Sequence, residues 1–326
     1  MDEIGGDPGA SVFAGTLSSR MEGLDRLLWI QSHKPNLIGR LLALTHMNAR
    51  GLLLLLLCLL LLALLPIIVE RLLRRSGMVR PNFQQVPIPQ CFGLVLLLFV
   101  VLAVGTLLFL VPSAWVTYGD WLWLVAGFGL LGFIDDVWGN RLYRGLKGHF
   151  RALLKDKRVT TGLIKAVGGV LLAGWFAWRM AHGFSLQFVF GTLLIALGAN
   201  TLNLFDLRPG RACALFLAST APLLIGFWWQ GGWSAGVPPL LFVVLPAWRV
   251  WEKDARAEVM LGDTGSNLLG AVLGFACAQE RVPLVLQGVV LFLFIVVHIV
   301  AEKTSLTVEI ERRPILRFLD GLTGVR

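Results

Sequence analysis

The sequence predicts an all-α, polytopic integral membrane protein: a helical bundle of about nine transmembrane helices. Three observations predict it. The 326 residues are 56% hydrophobic and only 15% charged, with a mean hydropathy of +0.74, too apolar for a soluble globule with a polar coat. The apolar residues gather in runs long enough, or nearly so, to cross a hydrocarbon layer of ~30 Å. The loops between those runs alternate between strongly basic and almost uncharged.

Residues 1–46 differ from the rest. Met1 to Ser19 is rich in Gly and Ser with scattered acids and no periodicity, which predicts disorder. Arg20 to His46 can form a short amphipathic helix around Leu24, Leu27, Leu28 and Ile30. It lacks the early apolar run and small-residue cleavage site of a signal peptide. Met47, directly before the first apolar run, offers an alternative start, so the domain division is 1–46 as an extension and 47–326 as the transmembrane domain.

Spans are predicted near 51–69, 91–112, 119–134, 162–181, 185–202, 212–229, 236–248, 266–279 and 283–301, the seventh and eighth being short. One set of connecting loops carries the charge: Arg71 to Arg80, Arg141 to Arg158, Arg208 and Arg211, Arg249 to Arg256, and Lys303 to Arg317. The other set holds Arg281 as its one basic residue. The positive-inside rule places the basic set in the cytoplasm, the N-terminus outside and the C-terminus inside. The basic residues of segment 20–40 fit poorly with an outside tail. The net charge of +9 therefore faces the anionic surface of a lipid bilayer, and no nucleic acid partner is expected. Cys58, Cys91, Cys213 and Cys277 lie in apolar stretches without metal-ligand spacing and read as small buried hydrophobes. His149 and His298 stand alone, His298 facing another helix.

Three acidic motifs fall on the predicted inner face. The first is Asp135-Asp136, where a long apolar run ends before a basic segment. Adjacent carboxylates at a membrane span repel each other unless a cation or a proton intervenes. The second runs from Asn200 through Asn203 and Asp206 to Arg208, Gly210 and Arg211. The third is Gly262-Asp263-Thr264-Gly265-Ser266 at the start of the eighth span. Carboxylates mixed with Lys and Arg suit a metal and phosphate site, in which Mg²⁺ takes one or two carboxylates together with substrate phosphates. Glycines beside Asp263 would let backbone N–H groups and a helix N-terminus approach an anion. Each motif also has a plainer explanation: the point where a helix leaves the lipid for Asp135-Asp136, interhelical hydrogen bonds for Asn200 and Asn203, a helix N-cap for Asp263, a charged turn for Arg208 to Arg211.

Taken together and in order, these motifs resemble those of the polyprenyl-phosphate sugar-1-phosphate transferases. Asp135 and Asp136 match the family's paired aspartates; Asn200, Asn203, Asp206 and Gly210 match NxxNxxDGxxG; Gly262, Asp263, Gly265 and Ser266 match GDxGS. The loop from Arg80-Pro81-Asn82 to Gly93 is also similar to the family's. The sequence departs at Leu207 and Pro209, at Met260 where many members carry an aromatic residue, and in lacking the His-rich motif and a final span. These departures make it a divergent branch, with either of two outcomes: an enzyme acting on a different sugar, or an inactive relative that binds a lipid-linked sugar or a membrane partner.

The resemblance implies transfer of a sugar-1-phosphate, N-acetylhexosamine-1-phosphate being favoured, from a UDP-sugar to undecaprenyl or another polyprenyl phosphate, with release of UMP, for cell-wall or surface glycan synthesis. It implies Mg²⁺, with Mn²⁺ as the alternative, held principally by Asp263. Asp135 and Asp136 would lie beside the prenyl phosphate, and Asp206 would shape the nucleotide and metal pocket. Asn200, Asn203, Lys147, Lys165, Arg208, Arg211, Gly262, Gly265 and Ser266 would contact substrate. A homodimer is compatible with this reading. A transporter is the rival from another class, but its sites belong near the bilayer midplane with repeat symmetry, whereas these acids gather at one interface.

Overall fold

A computed structural model describes residues 49–139, 154–157, 159–231 and 237–325. Contacts divide the chain after Leu53, and the unit from Leu54 onward carries everything below. Nine long helices among the described residues fall on the nine predicted stretches: α1 (Ala49–Arg75), α2 (Leu94–Leu110), α3 (Trp115–Trp138), α4 (Thr161–Met180), α5 (Leu186–Phe205), α6 (Arg211–Gly231), α7 (Val237–Asp254), α8 (Gly262–Cys277) and α9 (Leu284–Lys303). Six of these, α1, α3, α4, α5, α6 and α9, are by themselves long and apolar enough to cross a membrane. The chain is an all-α polytopic membrane protein.

The contrast between α1 and α8 has a physical reason. In α1 only Leu65, Pro66, Val69 and Leu73 are buried, so its leucine-rich remainder faces outward and must be apolar throughout. In α8 every residue from Thr264 to Cys277 is buried within protein. A helix of ~24 Å with no lipid-facing side has no need of lipid-matched hydropathy. α8 is the axis of the bundle, packed mainly against α5 and α3, with α6 and α2 completing its surround.

Its small residues permit that position. A Cβ on Gly270 would collide with the Gly198 carbonyl of α5, and one on Gly274 with the Leu194 carbonyl. On the α3 side, a Cβ on Gly132 would run into the backbone of Asp263 and Thr264. Close backbone approach through small residues is the usual means of packing helices in lipid, where hydrophobicity gives them no mutual attraction. The outer surface carries Phe109, Val116, Leu171, Ile225 and Val285 fully out of the protein core, a coat that only lipid tolerates.

Two features were not anticipated. The loop between α1 and α2 forms a short antiparallel hairpin, β1 (Val79–Pro81) with β2 (Pro87–Pro89). Asn82 closes its turn, accepting from Gln84 and Val86 N–H. The hairpin is tied to the approach of α8 by Met260 N–H to Pro89 C=O, Phe92 N–H to Met260 C=O and Gly93 N–H to Leu261 C=O. The segment after α9, read from sequence as a loop, instead contains α10 (Leu306–Arg312) and α11 (Pro314–Gly321).

Candidate active site

The site is assembled where α3, α5, α7 and α8 end or begin. Asp135, Asp136, Asp206 and Asp263 all line one cavity of about 640 Å³, together with Arg80, Asn82, Phe83, Arg208, Asp254, Met260 and Gly262. Four carboxylates from three separate motifs therefore share one space.

The two adjacent aspartates diverge. Asp135 accepts from Thr161 Oγ1 at 2.6 Å and pairs with Lys165 Nζ at 2.8 Å. Asp136 instead caps α8: its carboxylate accepts from Asp263 N–H (2.9 Å), Thr264 N–H (2.9 Å) and Thr264 Oγ1 (2.6 Å). A carboxylate at a helix N-terminus satisfies orphan donors and opposes the helix dipole. Gly262 makes the approach possible. Its φ of 75° favours glycine, and a Cβ there would lie 2.8 Å from Asp136 Oδ2.

With its cap role taken by Asp136, the Asp263 side chain is directed elsewhere. It forms an ion pair with Lys165, whose ammonium thus joins Asp135 and Asp263. With its amide oxygen set toward Lys165, Asn203 donates to Asp263 Oδ1 (3.0 Å) and accepts from Lys165 Nζ (3.2 Å). Asp206 accepts from Gly262 N–H at 3.1 Å. Burial, and then the nearby carboxylates of Asp254, Asp263 and Asp136, push its carboxyl well above the ordinary range.

Several expected contacts have other partners. The helix N-terminus is not open to a phosphate at its first N–H groups: those of Gly262, Asp263 and Thr264 go to Asp206 and Asp136. Gly265 serves close packing, a Cβ on it colliding with Leu261 and approaching Gly93. Ser266 is fully buried beside Asn203. Arg211, expected at phosphate, is buried in a two-pronged pair with Asp320 (2.7 and 2.9 Å) and reaches Thr307. Here a basic residue inside a motif satisfies a distant acid, and no local spacing reveals it. Arg208 lines the cavity and pairs with Glu311 at 3.6 Å. Asn200 bonds His298 Nε2 of α9 at 2.8 Å, the interhelical bond anticipated for it and the packing anticipated for His298. Lys147 lies outside the described residues.

Asp254 was missed. It ends α7, is 3% exposed, lines the cavity and accepts from Gly210 N–H at 2.9 Å. Its sole sequence signal was an acid in the run that leads into Gly262-Asp263.

A second cavity of about 480 Å³ lies among α3, α4, α5, α8 and α9. Phe128, Leu131, Val170, Leu197 and Leu204 supply its apolar wall, and Asn200, Asn203, Asn267, His298 and Glu302 are among its polar points. Asp135 lines both cavities, and Lys165 lines the second.

Fold and site together define a class: a membrane-embedded helical bundle with an acid-lined pocket formed at helix ends. Residues 119–279, from α3 through α8, match the profile of glycosyl transferase family 4. Among curated proteins, the chain is 25% identical over 264 residues to the phospho-N-acetylmuramoyl-pentapeptide-transferase of Borreliella burgdorferi (strain ZS7), covering 74% of this chain and 73% of that one. It is 26% identical over 247 residues to the protein of the same name from Geobacillus kaustophilus (strain HTA426), covering 67% and 70%. The counterpart from Maricaulis maris (strain MCS10) is 27% identical over 272 residues, covering 72% and 71%. These likenesses support a divergent relative of the polyprenyl-phosphate sugar-1-phosphate transferases.

Proposed function

We propose that the protein transfers N-acetylhexosamine-1-phosphate from a UDP-sugar to undecaprenyl or another polyprenyl phosphate at the cytoplasmic membrane face. The observation that carries this reading is the convergence of Asp135, Asp136, Asp206 and Asp263 on one cavity, with Lys165 between two of them. In the reaction a prenyl-phosphate oxygen attacks the β-phosphorus of the UDP-sugar. A new P–O bond forms, the bond between that phosphorus and the bridging oxygen breaks, and UMP leaves with the electron pair. Little covalent chemistry falls to the protein, and placement and charge neutralisation make up most of the catalysis.

The residues assign themselves to two substrates. The larger cavity suits the nucleotide: Phe83 offers an aromatic face to a base, and Arg80 and Arg208 offer charge to phosphate. The second, apolar cavity suits the first isoprene units, with Asp135 and Lys165 at its junction with the first. In this reading Lys165 holds the attacking phosphate, a role supported by its pairing with Asp135, which Thr161 in turn hydrogen-bonds. Asp136 positions Asp263 by fixing the start of α8.

A divalent cation fits this donor set. Among the described residues no three His, Cys, Asp or Glu side chains form a complete metal cage, but Mg²⁺ is ordinarily held by one or two carboxylates with substrate phosphates. The carboxylates of Asp135, Asp136, Asp206 and Asp263 line one cavity, and such a cation would offset their mutual repulsion. Asp263 would hold it, aided by the Asn203 amide. When bound, the ion would offset charge on the bridging phosphate oxygens.

The test is purified protein with undecaprenyl phosphate, Mg²⁺ and a panel of UDP-sugars. UMP release is expected with a UDP-N-acetylhexosamine. Absence of release with every sugar would leave the binding-only relative as the surviving reading.

A further inference from the structure

The loop that begins at Asp206 is held from outside the bundle. Residues 206–210 connect α5 to α6, with Arg211 opening α6, and Arg208 and Pro209 belong to the cavity wall. Their own hydrogen bonds would leave them a short turn: Arg211 N–H reaches Arg208 C=O only at 3.4 Å. Instead the segment 320–325 is wedged between this loop and the end of α7. Arg211 is 4% exposed and Asp320 8%, and the guanidinium meets the carboxylate in two bonds of 2.7 and 2.9 Å. Trp251 Nε1 donates to Thr323 C=O at 2.9 Å, and Val325 N–H donates to Ala255 C=O at 2.8 Å. Gly210 is packed so tightly that a Cβ on it would collide with the Thr323 carbonyl.

We infer that residues 320–325 are a positioning strap: through the buried Arg211–Asp320 pair they fix the 206–210 loop, and with it Asp206 and Arg208, against the cavity. The inference deepens the proposed function and rests on it for its kinetic consequence alone. A buried, doubly hydrogen-bonded ion pair suits this task. The attraction in such a pair is largely offset by its desolvation cost, but its geometry is strict, and losing one partner strands a buried charge. The charge on Arg211 is consumed in the latch, so the phosphate contacts of this loop fall to Arg208 alone. Asp254 secures the other flank through Gly210 N–H.

The experiment compares wild type, Asp320→Asn and Trp251→Phe, all purified in detergent. Amide hydrogen exchange is followed over peptides covering 206–212 and over α8, and kinetic constants are measured for both substrates. The strap predicts exchange of 206–212 faster by at least about tenfold in Asp320→Asn, a smaller rise in Trp251→Phe, and unchanged protection of α8. It also predicts a fall in kcat/KM for the UDP-sugar with the KM for polyprenyl phosphate unchanged. Should Asp320→Asn fail to fold, Trp251→Phe, which keeps the packing and removes one bond, decides alone. Unchanged exchange at 206–212, or a uniform rise including α8, would overturn the strap. A wild-type protein without turnover would refute the proposed function, and exchange would still decide the strap.

Discussion

Asp135 and Asp136 are neighbours in sequence with separate duties, one toward Lys165 and one toward the backbone of α8. Asp263→Asn preserves size and some hydrogen bonding but removes the charge facing Lys165. Turnover is expected to fall by about three powers of ten, with the unfolding midpoint nearly unchanged. Near-normal turnover at saturating Mg²⁺ would remove Asp263 from the site. Asp136→Ala should act differently, deleting a helix cap and costing about 1–2 kcal/mol of stability, seen as a lowered thermal midpoint, as well as activity. Phe83→Ala should raise KM for the UDP-sugar about tenfold with kcat little changed, the pattern of lost ground-state binding. The identities of the four acids were legible in sequence, because carboxylates beside apolar runs are costly and few. Their partners were not. The cap on α8 comes from α3 and the partner of Arg211 comes from α11, and no local spacing encodes contacts so distant in the chain.

At the scale of the element, α8 is the most demanding part of the fold, since it is enclosed on all sides. Gly270→Ala drives a methyl into the α5 backbone at Gly198, and a large loss of folded, monodisperse protein is expected. Gly105→Ala in α2 meets nothing within 4 Å and should be neutral or stabilising by up to about 1 kcal/mol, which makes it the control. Thermal unfolding of both variants in one detergent tests the contrast. Hydropathy revealed the nine long helices among the described residues because surface facing either lipid or the packed interior must be apolar. It marked α7 and α8 as short because their apolar content is set by neighbours inside the bundle rather than by bilayer thickness. The β1–β2 hairpin escaped notice for another reason: Pro81, Pro87 and Pro89 argue against strands, and are tolerated in a two-stranded ribbon where outward N–H groups go unused. The segment holding α10 and α11 is charged enough to resemble a loop, and its helices are short.

For the whole molecule, transfer between a lipid phosphate and a nucleotide sugar needs both substrates to meet at one membrane face. Cysteines introduced at Lys155 and Arg256 should react with an impermeant thiol reagent only from the cytoplasmic side. Background should be low, since Cys91, Cys213 and Cys277 are buried and Cys58 is partly so. Labelling of either position from outside would overturn the orientation. The most direct test of the central claim is UMP release by the purified protein given undecaprenyl phosphate, Mg²⁺ and UDP-N-acetylhexosamine, run beside Asp263→Asn at equal folded concentration. Release is expected to depend on the prenyl phosphate and to be abolished by the substitution. Release that persists in Asp263→Asn, or no release from the wild type with any UDP-sugar, would contradict it.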